Sequence, residues 1–338
     1  MSILLESTPP QPFQWAILYV LAAIGFAVAG LLGLFRGASV YGGRMSLYPR
    51  LVPLAAPFLI GAVTFFLSQV LYLAYVQAAR GNPGEPFNPS LLVLSDWLVL
   101  ATAPFVAAMA AMSLANAFIP GAGLKKLGLR PVLILPGLLC GVAGILIAAP
   151  IVFWFSAVSE WFYRKIDYVH PMEHDLLRAL PEASAGQTIL LLIGIMVCAP
   201  VMEEILFRGH LQTLLRRLLG GRRIEPTEPS PPGMPASPVD QPIDGTATPI
   251  LDYTVPQPPP WTPIDRSTSP WTAWVAILVT SMVFAVIHPI WSAPPIFLLS
   301  IALGFAYERT GNLWTPIFMH ALFNASSTAL FVLTQGSR

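Results

Sequence analysis

Three ionisable side chains stand together inside an apolar stretch, and any chemistry has to start there. The run LLLIGIMVCAPVMEEILFRGHLQTLLRRLLG carries Glu203, Glu204 and Arg208 in its middle. An ionisable group in hydrocarbon costs on the order of 3 kcal/mol or more, so such groups need partners and usually mark function. On a helix Glu204 and Arg208 are i and i+4 and share a face, where the guanidinium can neutralise the carboxylate. Glu203 points about 100° away and has no such helical partner. The pattern suggests a division of labour, with Glu204 and Arg208 as an internal brace and Glu203 left free to do chemistry. The competing reading is a buried ion cluster that only fixes helix packing.

Two further polar positions lie downstream. The segment SMVFAVIHPIW ends an apolar helix at His288 with Phe284 one turn earlier, and WTPIFMHALFNASS sets His320 and Asn324 at i and i+4 on one face. A lone histidine in such surroundings is usually a satisfied core residue, but here two of the five histidines fall in apolar helices that accompany a Glu-bearing one. The others read differently. His170 and His174 flank Glu173 in HPMEHD, where Pro171 breaks the helix that would align them, so a solvated loop is expected. His210 falls in an amphipathic helix exit whose arginines suit anionic headgroups, and it is expected at the surface.

The elements that must position these residues follow from composition. Apolar residues make up 55% of the 338 positions and charged residues 10%, against roughly one quarter charged in a soluble domain. A water-soluble fold of this size has no means of hiding that much apolar surface. A net charge of +1 gives no basic field for nucleic acid. Cys140 and Cys198 lie in apolar runs without disulfide or metal spacing. The opening MSILLESTPPQPF has neither a basic n-region nor a cleavage site, so the first apolar run is expected to stay as a membrane helix.

A spanning helix needs about 20 apolar residues for a hydrocarbon core of roughly 30 Å. Runs of that kind fall at about 15–35, 51–77, 91–118, 132–158, 187–207, 272–288, 294–307 and 313–333. The expected fold is therefore all-α, a polytopic membrane protein with about eight transmembrane helices. Arg36, Arg44 and Arg50, then Lys125, Lys126 and Arg130, then Arg216, Arg217, Arg222 and Arg223 collect in alternate loops. Positive charge marks the cytoplasmic side, which puts both termini outside and the loop 220–270 in the cytoplasm. Within that loop, Glu225–Pro270 holds 14 of the 35 prolines and almost no periodic apolar residues. It reads as a disordered cytoplasmic linker, a passive insertion or else a ligand for a soluble proline-binding partner. The chain thus divides into N-terminal transmembrane helices over 1–120, a core over 121–224 and 271–338, and the Pro-rich linker over 225–270.

Taken in order, Glu203-Glu204-x-x-x-Arg208, Phe284-x-x-x-His288 and His320-x-x-x-Asn324 resemble the motifs of the CPBP intramembrane peptidases, also called the CAAX-protease and bacteriocin-processing or Abi family. The resemblance covers about 125–333, and LKKLGLRP at Leu124–Pro131 and YERTGNLWTPIFMHALFN at Tyr307–Asn324 look like the family's usual lead-ins. It implies that Glu203, His288, His320 and Asn324 converge on one cavity, with Glu204, Arg208 and Phe284 in support. Glu203 would be the general base with His288, and His320 and Asn324 would serve the oxyanion. It also implies a candidate zinc set of Glu203, His288 and His320 with one position open for water. The chain lacks the HExxH helix of soluble zinc proteases, so the metal rests on the resemblance alone and a metal-free Glu/His mechanism stays open.

Depth constrains this convergence. If helix six spans fully, His288 reaches the outer surface, while His320 lies about 12 Å into helix eight at 1.5 Å per residue. The two meet only if helices six and seven form a short hairpin whose turn, His288 to Pro295, dips into the bilayer and borders the site. Three function classes follow: an endopeptidase cutting a membrane-associated peptide, prenylated or leader-type; a non-catalytic scaffold or bacteriocin-immunity protein; and a proton-coupled transporter. Lipid and a membrane peptide are the expected partners.

Overall fold

An uninterrupted apolar run can satisfy its peptide groups without water by bonding them along its own helix. The computed structural model describes residues 12–31, 52–82, 84–88, 91–120, 122–168, 183–219 and 270–335, and every regular element among them is helical. These residues form eight long helices: α1 (Pro12–Leu31), α2 (Val52–Arg80), α3 (Leu94–Phe118), α4 (Ile134–Lys165), α5 (Ala185–Leu219), α6 (Pro270–Val286), α7 (Ala293–Thr310) and α8 (Trp314–Gln335). Four stretches are long and apolar enough to cross a membrane: α2, α3, Leu124–Lys165 and α5. Outward faces keep large apolar side chains exposed, among them Val63, Phe66, Leu67 and Val70 on α2. Such surfaces suit lipid tails rather than water, and the chain is an integral membrane protein. The arginines of 36–50, His170, His174 and the Pro-rich stretch up to residue 269 lie outside the described residues.

Helix α5 occupies the middle of the bundle and packs against α2, α3, α6, α7 and α8. Its Met202, Ile205, Leu206 and Phe207 share one buried core with Leu54, Ala108, Met112, Phe284, Tyr307 and Ile317. Helix α1 lies against α4, which in turn meets α7 and α8.

The helix is not uniform. π-helical turns at Gly194–Cys198 and Ile205–Gln212 bracket the α-helical Ala199–Glu204. Pro200 supplies the reason for the first. It has no N–H to give back to residue 196, so the ladder has to rearrange around it. A π turn also carries more residues per turn than an α turn, which alters the face on which each following side chain emerges.

Two close approaches fix α8 beside the core. On α4, a Cβ added at Gly137 would stand 2.5 Å from Trp314 Cβ, and one at Gly141 would stand 2.8 Å from Phe318 Cβ. Only hydrogen fits there, as at many crossings of membrane helices. The second approach joins the two lead-in segments. A 3-10 turn at Leu124–Leu127 ends in Gly128, at φ 90°, whose missing side chain leaves room for the Gly311 carbonyl. Tyr307 Oη then donates to the Leu127 carbonyl at 3.0 Å, Asn312 Nδ2 to Leu133 O at 2.8 Å, and Trp314 Nε1 to Arg130 O at 3.2 Å. LKKLGLRP and YERTGNLW are thus two halves of one clamp that seats the start of α8.

Candidate functional site

Burial sorts the three ionisable residues of α5 first. Glu204 and Arg208 are fully buried, whereas the Glu203 side chain keeps 11% of its surface. Buried charge is tolerable only with partners. Arg208 Nη1 donates to Glu204 Oε1 at 2.9 Å, one helical turn back. The same guanidinium sends Nη2 to Ser300 Oγ at 2.7 Å and to the Ser300 carbonyl at 3.3 Å, and lies 4.5 Å from the centre of the Phe284 ring. A desolvated cation over an aromatic face adds about 2 kcal/mol of attraction.

Helix α8 brings His320 between the two glutamates. Its Nδ1 is 2.9 Å from Glu204 Oε1, and its Nε2 is 3.8 Å from Glu203 Oε2. An oxygen that already takes a hydrogen bond from Arg208 acts as acceptor, so Nδ1 is the donor and the Nε2 lone pair faces Glu203. Glu204 is therefore more than a brace for Arg208, because it also fixes the tautomer and tilt of His320. A carboxylate that orients a histidine in this way is a recurring element of hydrolytic sites.

His288 is set in a parallel manner by a different partner. It sits in the turn between α6 and α7, where its Nδ1 lies 2.7 Å from the Phe284 carbonyl. A carbonyl only accepts, so Nδ1 carries the proton and Nε2 is the lone-pair nitrogen. Phe284 joins the whole arrangement. Its ring centroid is 4.8 Å from that of His288, 5.9 Å from His320 and 5.0 Å from Phe207, and Arg208 stacks on it.

Asn324 is the fourth expected position, and the backbone of α5 explains its contact. The Ala199 N–H goes to the Gly194 carbonyl, and residue 200 is proline with no N–H. The Ile195 carbonyl thereby loses both its α-type and its π-type partner. Asn324 Nδ2 donates to it at 2.9 Å. One amide hydrogen of Asn324 is committed to that carbonyl, and the other remains for further use.

Glu203, Glu204, Arg208, Phe284 and His320 therefore form one contiguous group, with His288 joined to it through Phe284 and Asn324 through α8. Among the described residues no three His, Cys, Asp or Glu side chains are gathered closely enough to hold a metal ion. Glu203, His288 and His320 do not make up a ligand set of that kind, so no step below passes through zinc.

His210 departs from expectation. It is fully buried rather than at the surface, with Nε2 3.2 Å from Asn116 Nδ2 on α3. The π turns from Ile205 shift its face inward. Asn116 in turn donates to Met112 O at 2.9 Å and accepts from Gly123 N at 3.2 Å, tying α3, α5 and the clamp together. Ser300 was also absent from the expected set. A single serine in the run IFLLSIALGF gives only a weak signal, since its partner lies far away in sequence.

Comparison with known proteins bears on the same segments. No curated protein and no solved structure matches the chain. Residues 185–227 and 262–326 match the family model described as Type II CAAX prenyl endopeptidase Rce1-like, and the model passes over most of the Pro-rich stretch between them. The matched residues include all seven expected site positions, and the family points to intramembrane endopeptidase activity. Over the segments that build this site, about a third of the chain, the sequence is similar to the type II CAAX prenyl endopeptidase Rce1-like family, in keeping with the resemblance of its three motifs.

Proposed function

We propose that the protein hydrolyses a peptide bond near the C-terminus of a membrane-associated peptide, with a prenylated C-terminal motif as the leading substrate class. The observation that carries this reading is the placement of His320 between the Glu203 carboxylate, whose side chain keeps 11% of its surface, and a fully buried Glu204. A packing cluster has no need to set an oriented imidazole between two carboxylates.

Peptide hydrolysis needs an activated water and a stabiliser for the tetrahedral oxyanion. Glu203, with the Nε2 lone pair of His288, takes the proton as the water oxygen attacks the scissile carbonyl. That proton passes to His320 Nε2, the nitrogen facing Glu203. The resulting imidazolium lies between two carboxylates suited to hold its charge. His320 Nε2–H and the second amide hydrogen of Asn324 then donate to the oxyanion. As the C–N bond breaks, the leaving amine takes the proton from His320. The products are a carboxylic acid and an amine, and the site returns to its starting state.

In this reading the turn 287–292 between α6 and α7 sits within the bilayer. The two helices have 17 and 18 residues, about 26 Å each, short of the roughly 30 Å core. Both termini outside, with the loop 220–270 cytoplasmic, complete the proposal. Purified protein in lipid vesicles is to be given a farnesylated peptide with a C-terminal Cys-aliphatic-aliphatic-X sequence and the same peptide without the farnesyl group. Release of the last three residues from the farnesylated peptide alone supports the reading. No cleavage of either, together with substrate-dependent proton flux, would replace it with a transporter. Elemental analysis, expected to find no stoichiometric zinc, checks the metal-free mechanism.

A further inference from the structure

The guanidinium of Arg208 is held from three helices at once. Glu204 on its own helix takes Nη1, the Phe284 ring of α6 lies against its face, and Ser300 of α7 takes Nη2. Glu204 Oε1 is shared, since it also receives His320 Nδ1. A rotation of the guanidinium would move Nη1, and with it the oxygen that sets the imidazole. The direction of the fork depends on Ser300 more than on Phe284, because a ring face tolerates rotation and a hydrogen bond does not. Ser300 presents both its hydroxyl, at 2.7 Å, and its carbonyl, at 3.3 Å, and is fully buried.

We infer that Ser300 is a positioning residue for the reaction, which acts through Arg208 and Glu204 to fix the Nδ1–H tautomer and tilt of His320. It touches neither substrate nor reacting atoms. Its place on α7 gives it a second consequence. The turn bearing His288 leads directly into α7, so the Ser300 contact makes the setting of His320 depend on the seating of the α6–α7 pair. A site whose two histidines come from separate elements is thereby held in one register. Beyond the peptidase reading, on which only the kinetic part of the test rests, the inference is about the state of an imidazole and stands or falls without a substrate.

The experiment is nitrogen NMR of histidine-labelled protein in lipid nanodiscs, with the His320 signals assigned by His320→Gln. In the parent protein His320 is expected as a single Nδ1–H tautomer. Ser300→Ala is expected to move its two nitrogen shifts toward a tautomer mixture, and Ser300→Thr, which keeps the hydroxyl, to restore them. Cleavage is expected to show kcat lower by on the order of tenfold with KM unchanged, the size of one buried hydrogen bond to a charged group. In an Arg208→Lys background the Ser300→Ala change is expected to add nothing. Unchanged His320 shifts in folded Ser300→Ala protein overturn the inference, whatever the kinetics. If Ser300→Ala does not fold, Ser300→Cys is read in the same way. Absence of cleavage by the parent protein would count against the peptidase and leave the NMR result to decide this point.

Discussion

Among the described residues two buried carboxylates, Asp96 and Glu204, are paired with arginines, and they are built to opposite ends. At the junction of α2 and α3, Asp96 is nearly fully buried and receives Arg80, the Tyr72 hydroxyl at 2.8 Å and the Val93 N–H at 2.8 Å. Both of its oxygens are engaged, by groups that also close the end of one helix and cap the start of the next. In the middle of α5, Glu204 uses one oxygen for both Arg208 and His320, and Glu203 beside it lies 3.8 Å from the far nitrogen of the same imidazole. A carboxylate whose acceptor sites are all taken by its own scaffold is a staple. One whose bonds pass to a histidine that also faces a second carboxylate has the capacity to move a proton.

Removing the arginines is the strongest way to test that contrast. Arg208→Leu leaves Glu204 buried without its cation and is expected to cost about 3–5 kcal/mol, seen as a large fall in thermal midpoint in detergent. Gly141→Leu comes next. It forces a side chain into the α4–α8 crossing and is expected to cost about 1–3 kcal/mol, with cleavage falling alongside the folded fraction. Pro200→Ala is more selective, since it returns an N–H that the Ile195 carbonyl can accept. Expected are a stability change within about 1 kcal/mol and release of Asn324, with cleavage reduced more than stability. A Pro200→Ala protein that cleaves normally would show that the Asn324 contact is incidental. Arg80→Ala is the weakest change. Arg80 is 39% exposed, so its loss is expected to cost about 1 kcal/mol or less and to leave kcat alone.

The α5 half of this contrast, unlike the pairing of Asp96 with Arg80, was legible in the chain itself, for a reason that does not carry over to soluble proteins. Charge in hydrocarbon is costly enough that Glu203, Glu204, Arg208, His288 and His320 stand out without an alignment. Run length likewise marked eight helices, and the helix spacing paired Glu204 with Arg208. The unread parts share one cause, which is that they depend on contacts between distant segments or on the phase of an irregular helix. Ser300 meets Arg208 across 92 residues, and His320 meets Glu204 across 116. His210 was expected at the surface because α-helical phase was assumed through 205–212, where the helix is π. Pro200 did carry a signal. A proline inside an apolar helix strands carbonyls, and an Asn on a neighbouring helix is a fitting donor.

The most direct measurement places the two pairs in one assay. Glu203→Gln and Asp96→Asn each remove a single carboxylate charge with little change of volume. Initial cleavage rates of the farnesylated peptide are to be compared at equal folded fraction. Glu203→Gln is expected to lower the rate by on the order of a thousandfold while leaving the thermal midpoint near that of the parent. Asp96→Asn is expected to lower the midpoint and leave the rate per folded molecule unchanged. Similar rates for Glu203→Gln and the parent would contradict the assignment of Glu203 as the base and, with it, the peptidase site described above.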